Sequence, residues 1–519
     1  MAYYNPINKL IMNINLRRSL AIFFIAIFFI LLPIILNYAR GYRFDPNKNQ
    51  IVYTGGISVD SNPQNAQVFI NGKYKDSNLF EKILSPFKGF FGMRKMGGST
   101  PAIFQNLLPD EYDVEIIKDG YHPWQKKLNV YARQVVFAEN INLFLENPKI
   151  ENMVVGTQNF AFSNDSVLTR LSPNKQKIAY VVKNENKWGL RVLNYENTND
   201  ALIYKSSYQI ETISWAQNNS VIFIKTKNYN DFIFIDTNNS ERIFYLKNFI
   251  LTTNDLAFKN INFEMLNLKW DINDSNKLYA QNANKIYEIN ADQQTISNFH
   301  EFVLQDSQVI TDFFVKNDVI WTIQLYSKNT QLKKLDIHEI LPQDDLEKTG
   351  RIVSILPSSN QYRFLNYDKD LITIKNRQSN EVFIINPEIG NEERSIIARF
   401  FANEFTWNTN QDRILYWDNF EIGIINLDKN NEYAPSHQEI ISRYGQQIVN
   451  ACWSSDENYI ILGLGNKLYA LEIDSRDKRN IAQLIEIDAL QSFSLRNENI
   501  VYLIGQINDI AGIYKVEMQ

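Results

Sequence analysis

Few residues in this chain are of the types that carry chemistry, and their spacing argues against most of it. The four histidines, His122, His300, His338 and His437, are scattered. None has the H-E-x-x-H spacing that sets two imidazoles on one helical face for zinc. The single cysteine, Cys452, lacks a second thiol for a disulfide or a Cys-type metal site. No G-x-S-x-G elbow is present to expose a serine nucleophile. GLGNK at 463–467 lacks the G-x-x-x-x-G-K-[ST] spacing of a phosphate loop. DINDSN at 271–276 alternates oxygen side chains as a calcium loop does, yet Asp and Asn also dominate ordinary turns, and the turn reading is taken. Carboxylates able to act as an acid and base pair on a glycoside are dispersed, with no pair to name. Catalytic, cofactor-binding and metal-binding residues are therefore expected to be none.

The composition describes what must position any binding residues instead. A chain of 519 residues with 45% hydrophobic and 13% aromatic content exceeds one ordinary core and favours strands. A net charge of −5 without long single-sign runs gives no phosphate-neutralising surface, so nucleic acid is set aside as a partner.

LAIFFIAIFFILLPIIL, residues 20–36, is apolar throughout and at 1.5 Å per residue reaches about 26 Å, close to the hydrocarbon thickness of a bilayer. A cleaved signal peptide is the competing reading. The run is longer than a usual signal core, and NYARGYRF offers a poor cleavage site, so a retained anchor is expected. Lys9, Arg17 and Arg18 before it lean toward a cytoplasmic amino terminus. The expected order is a cytoplasmic tail over 1–18, a transmembrane helix over 19–38, a linker over 39–56, a small β domain over 57–146 and a large repeat domain over 152–519.

In the small domain AQVFI and EYDVEII alternate with the period of two that buries one face of an antiparallel sheet. Asn71-Gly72, Pro109-Asp110 and Asp119-Gly120 mark its turns. Ser61, Pro63, Ala66, Val68 and Gly72, then Thr100-Pro101, Leu108-Pro109, Tyr112, and Gly120-Tyr121 followed by Trp124, resemble the PEGA domain of bacterial and archaeal surface proteins. Pro63-Gln64-Asn65-Ala66 stands where the family has Pro-Glu-Gly-Ala. The resemblance implies a small β-sandwich acting as spacer or binding module without enzymatic activity, with Pro63, Ala66, Gly72, Gly120, Tyr121 and Trp124 as structural signature positions. An insertion over 73–99 interleaves rings with basic residues; Phe87, Phe90, Phe91, Arg94 and Lys95 are candidates for contact with a membrane surface, and packing on protein is the alternative.

From residue 152 a unit recurs: an anchor, a polar turn, then two alternating strands. The anchors, Ser172, Trp215, Trp270, Phe314, Leu365, Trp407, Trp453 and Ser494, lie 41 to 55 residues apart, the period of a β-propeller blade. Seven or eight blades are expected, with residues near 154–162 supplying the outer strand that the last repeat lacks. The turns SPNKQK and SSDENY resemble the repeats of Tol-associated and WD-like propellers. Trp215, Trp270, Trp407 and Trp453 share one repeat position, which favours inter-blade core over a ring of sugar-stacking rings. The Asp-box turns of sialidase-type propellers do not occur.

The resulting expectation is an all-β ectodomain, a PEGA-like β-sandwich plus a propeller, behind one transmembrane helix in a bacterial cell membrane. Its role would be a non-catalytic scaffold binding cell-wall polymer, carbohydrate or an envelope protein. The alternative is an extracytoplasmic polysaccharide hydrolase or lyase working at the propeller channel.

Overall fold

The computed structural model describes residues 14–46, 48–74, 98–155, 168–184, 186–227, 231–252, 261–305, 307–337, 350–365, 370–427, 437–497 and 499–519. The candidates Phe87, Phe90, Phe91, Arg94 and Lys95 lie outside them. Two compact units result, one of residues 1–146 with 474–482 and 519, the other of 147–473 with 483–518.

The first unit opens with a helix, Ile14–Ala39, apolar over residues 20–36 and with no buried residue. Such a helix is consistent with a signal sequence or a membrane anchor. It begins at Ile14, inside the stretch expected to be tail. Gly41, at φ +90°, ends it. The 39–56 stretch, expected as a linker, holds regular structure: β1 (Tyr42–Asp45) and β2 (Gln50–Tyr53) pair as an antiparallel hairpin. The reason is local, since YRFD and QIVY are strand-forming runs flanking the turn residues Pro46 and Asn49.

Seven further strands follow: β3 (Gly55–Asn62), β4 (Gln67–Ile70), β5 (Lys73–Tyr74), β6 (Ala102–Leu107), β7 (Glu111–Ile117), β8 (Trp124–Asn129) and β9 (Val135–Asn142). They form two sheets, ordered β6-β3-β9 and β5-β4-β7-β8. The alternation in the sequence becomes burial: Ile57 and Val59, Val68 and Ile70, and Val114 and Ile116 point into one core with Trp124 and Leu128. Each such aliphatic side chain contributes about 1.5–3 kcal/mol when fully buried. One pairing departs from the antiparallel expectation, because β3 and β9 run parallel. They open and close the sandwich, and a pairing across some 80 residues of sequence leaves no local pattern. Residues 474–482 belong to this unit as well. The wholly buried Lys126 donates to the carbonyl of Asp474 at 2.9 Å and sits 3.4 Å from its carboxylate.

Among the described residues the second unit contains eight four-stranded antiparallel sheets. Their innermost strands are Thr169–Leu171, Ile210–Trp215, Asn267–Trp270, Val309–Lys316, Tyr362–Leu365, Glu404–Trp407, Ile448–Trp453 and Ala489–Asn497, here numbered blades 1 to 8. Shared apolar clusters join successive blades, for example Ile213 and Trp215 with Leu190 and Val192, or Trp453 and Leu462 with Leu415 and Ile424. Blade 8 packs back on blade 1 through Tyr195 and Tyr502, whose rings stack at 3.7 Å. The ring is closed. Its outer strand in blade 8 is Lys149–Val155, paired antiparallel with Ile510–Glu517, so residues from the start of this unit complete its last sheet.

Candidate functional site

The inner strands build the one surface on which all blades converge, and the repeat controls it in two ways. The first is the tryptophan that ends the inner strand of blades 2, 3, 6 and 7. The indole N–H of Trp215 donates to the carbonyl of Arg170 in blade 1 at 3.0 Å. Trp270 repeats the bond to Ser214 in blade 2 at 3.4 Å, and Trp453 to Thr406 in blade 6 at 3.3 Å. In each case the acceptor precedes the last inner-strand residue of the preceding blade. Trp407 is partly buried in the same position, and its Nε1 has no partner. In blade 1 the equivalent position is Leu171, opposite Ile178 as Trp215 is opposite Ile222, so Ser172 falls one residue beyond the strand end.

The second control is the turn that follows. Its left-handed residue, φ +60° at Asn219, +52° at Asn317 and +58° at Glu457, sends a side chain to the turn of the preceding blade. Asn219 accepts from the backbone N–H of Asn174, and Asn317 from the side chain of Asn273. Glu457 accepts from Asn408 Nδ2 at 3.0 Å, from the N–H of Thr409 at 2.6 Å and from Arg413 at 2.7 Å. Burial pushes its carboxyl upward, but the bonds from Asn408, Thr409 and Arg413 outweigh it and hold the pKa at about 2. DINDSN spends its oxygens likewise: Asp271 accepts from the N–H groups of Asn273 and Asp274, both at 2.7 Å, and Asp274 from that of Asn276.

Against this frame lies a cavity of about 870 Å³ walled by the inner strands of blades 1, 6, 7 and 8. Arg170 and Lys175 bring positive charge from blade 1, and Glu404 and Glu457 bring negative charge from blades 6 and 7. Phe405, Trp407 and Phe493 supply rings. The β-bulges at Val449 and Gln491 re-aim the next residues, Asn450 and Ser492, and all four of these line the wall. Asn450 also ties two blades together by donating to the carbonyl of Phe493 at 2.9 Å. The buried Asp312 does the same in blade 4, accepting from Asn267 of blade 3 and from the N–H of Phe364 of blade 5, each at 2.7 Å. Cys452 lines the cavity too, and burial pushes its thiol up to about 12, which keeps it protonated at neutral pH.

The signature positions of the small domain belong to the first unit. Ala66 and Trp124 are buried in its core, with Tyr121 packed against it. Gly72 and Gly120 take the left-handed conformation, φ +68° and +81°, at the turns their dipeptides mark. Pro63 follows a cis peptide bond. Beside it the hydroxyls of Ser61 and Thr100 lie 2.7 Å apart, and Thr100 accepts the N–H of Ala66. These residues form a packing and hydrogen-bonding knot. The cavity residues Arg170, Glu404, Asn450 and Gln491 were not singled out by sequence reasoning. Only the inner-strand register, present in the repeat, could have pointed to them.

No family model matches the sequence, and no curated protein matches it. Solved structures similar to part of the chain include propellers. The β-propeller domain of Cps50 (Swd1) from Myceliophteria thermophila is 10% identical, covering 72% of this chain and 100% of its own, with a TM-score of 0.39. The Dos1 propeller is 10% identical over 72% of this chain and 95% of its own, TM-score 0.43. The WD40 domain of SCAP from fission yeast is 12% identical over 72% and 98%, TM-score 0.38. At these values the likeness adds nothing to the blades already read from the strand pairing.

Proposed function

We propose that this protein is a non-catalytic, membrane-anchored scaffold of a bacterial envelope, with the N-terminal helix as a retained anchor and the PEGA-like unit as spacer. In this reading the propeller cavity binds a saccharide chain of the cell wall. The observation that carries it is the chemistry of the cavity wall. Amide, hydroxyl and ring groups predominate, and both signs of charge are present, which suits a neutral polymer of hydroxyls and apolar ring faces. Its one carboxyl with a resolved shift, that of Glu457, moves down and is committed to Arg413, Asn408 and Thr409, the opposite of the raised carboxyl a general acid needs.

The test is co-sedimentation of the full-length, detergent-solubilised protein with purified sacculi. Wild type is expected to pellet, and the double variant R170A/E404A, altered at two exposed positions of the cavity wall, to lose most of that binding. A wild type that stays in the supernatant, or a double variant that pellets equally, overturns the reading.

A further inference from the structure

The hairpin β1–β2 presents an apolar face left exposed among the described residues. Phe44 and Ile51 are cross-strand partners, 57% and 68% exposed. Residues two apart on a strand share a face, so Tyr42 and Tyr53, the next pair along, stand beside them with ring centroids 3.7 Å apart. On the opposite face Asp45 is buried, Arg43 donates to Asn106 Oδ1 at 3.0 Å, and Gln50 is exposed.

What decides the occupant is where the helix leaves this face. The backbone passes from the last helical turn straight into the hairpin, with no intervening tether. Arg40 donates its N–H to Leu36 and Gly41 to Tyr38, and Thr54, just after β2, donates to Gly41 at 2.9 Å. The Arg43 guanidinium lies 3.3 Å from the centroid of the Tyr38 ring and donates to the Tyr38 carbonyl at 2.7 Å. Phe44 is the next residue, about 3.3 Å of strand further on. Tyr38, 62% exposed, stands where the apolar run of the helix gives way to polar sequence, the level at which aromatic side chains collect in membranes. Around the same point Arg40 is exposed, and Arg133 stacks over Tyr53 at 3.6 Å. Rings and aliphatics toward acyl chains, flanked by guanidinium groups toward phosphates, is the chemistry of a lipid interface.

We propose that β1–β2 is a second membrane contact, its Phe44 and Ile51 face lying in the boundary between phospholipid headgroups and acyl chains beside the end of the helix. Such a contact fixes how the first unit meets the bilayer, which a single helix with a flexible tether would not do. The proposal rests on the helix being a retained anchor.

The experiment uses full-length protein reconstituted in phosphatidylcholine–phosphatidylglycerol vesicles, carrying one introduced cysteine labelled with an environment-sensitive fluorophore: F44C, I51C, Q50C or I25C. I25C, within the helix, reports the anchor; Q50C, exposed on the other face of the hairpin, reports water. F44C and I51C are expected to be quenched several-fold more by lipids brominated near the headgroup than Q50C, and less by aqueous iodide. Iodide access at both positions with I25C still quenched by lipid overturns the hairpin contact alone. Loss of lipid quenching at I25C as well, with protein that no longer floats with the vesicles, overturns the anchor on which it rests. Self-quenching at F44C and I51C that rises with protein-to-lipid ratio, without lipid quenching, shows a second copy on this face and also rejects the proposal. Two independent positions guard against one variant that fails to fold.

Discussion

The anchor tryptophans do the same job with different degrees of success. Trp215 and Trp453 each combine burial with an indole N–H bonded to the preceding blade, whereas the Trp407 N–H is buried without a partner. Replacing Trp215 or Trp453 by Phe should cost about 1 kcal/mol for the lost bond beyond any packing change, while W407F removes an unsatisfied donor and should be neutral or stabilising relative to them. Denaturant midpoints of the three variants would show it; equal losses would mean the N–H bonds are immaterial. Glu457 carries a pH dependence whose sign follows from its depressed pKa of about 2 against an ordinary 4.5. Its contribution is fully present above about pH 4.5 and is lost as pH falls toward 2. E457Q should therefore be less stable than wild type at neutral pH, with the gap narrowing through that acid window, as read by melting temperature against pH.

Blade 8 is an element whose integrity is exposed to a small change. A Cβ on Gly512 would stand 2.5 Å from the Val154 carbonyl across the closing strand pair, a backbone atom that cannot swing aside. G512A is expected to destabilise by about 1–3 kcal/mol and to speed amide exchange in Lys149–Val155. Gly390 has nothing within 4 Å of the same position, so G390A is the control that should leave exchange unchanged. The hairpin β1–β2 teaches a different lesson at this scale. A linker was expected over this stretch, and two isolated four-residue strands are marginal without a partner. The partner is supplied by Arg43 bonded to Asn106, 63 residues away.

For the propeller as a whole, closure depends on a strand that comes from the other end of the unit. A fragment beginning at residue 147 should melt cooperatively, whereas one beginning at 156 lacks Lys149–Val155 and leaves Ile510–Glu517 as an open edge. Calorimetry is expected to show a lower, broader transition for the shorter fragment, with aggregation through that edge; matching transitions would mean the ring does not need the closing strand. What the sequence alone determined about this protein is whatever is encoded within one turn or one repeat: the apolar helix, the alternating strands of the small unit, the left-handed Asn and Gly turns and the anchor period of the blades. Those patterns are local, set by composition, by side-chain periodicity and by backbone preference over a few residues. Tertiary structure decided the rest. Arg170 and Phe493 wall one cavity although more than 300 residues separate them, because the ring closes blade 8 onto blade 1. The parallel pairing of β3 with β9 and the burial of Lys126 against Asp474 are likewise pairings across distance, chosen by packing and not by any stretch of sequence that could be read by itself.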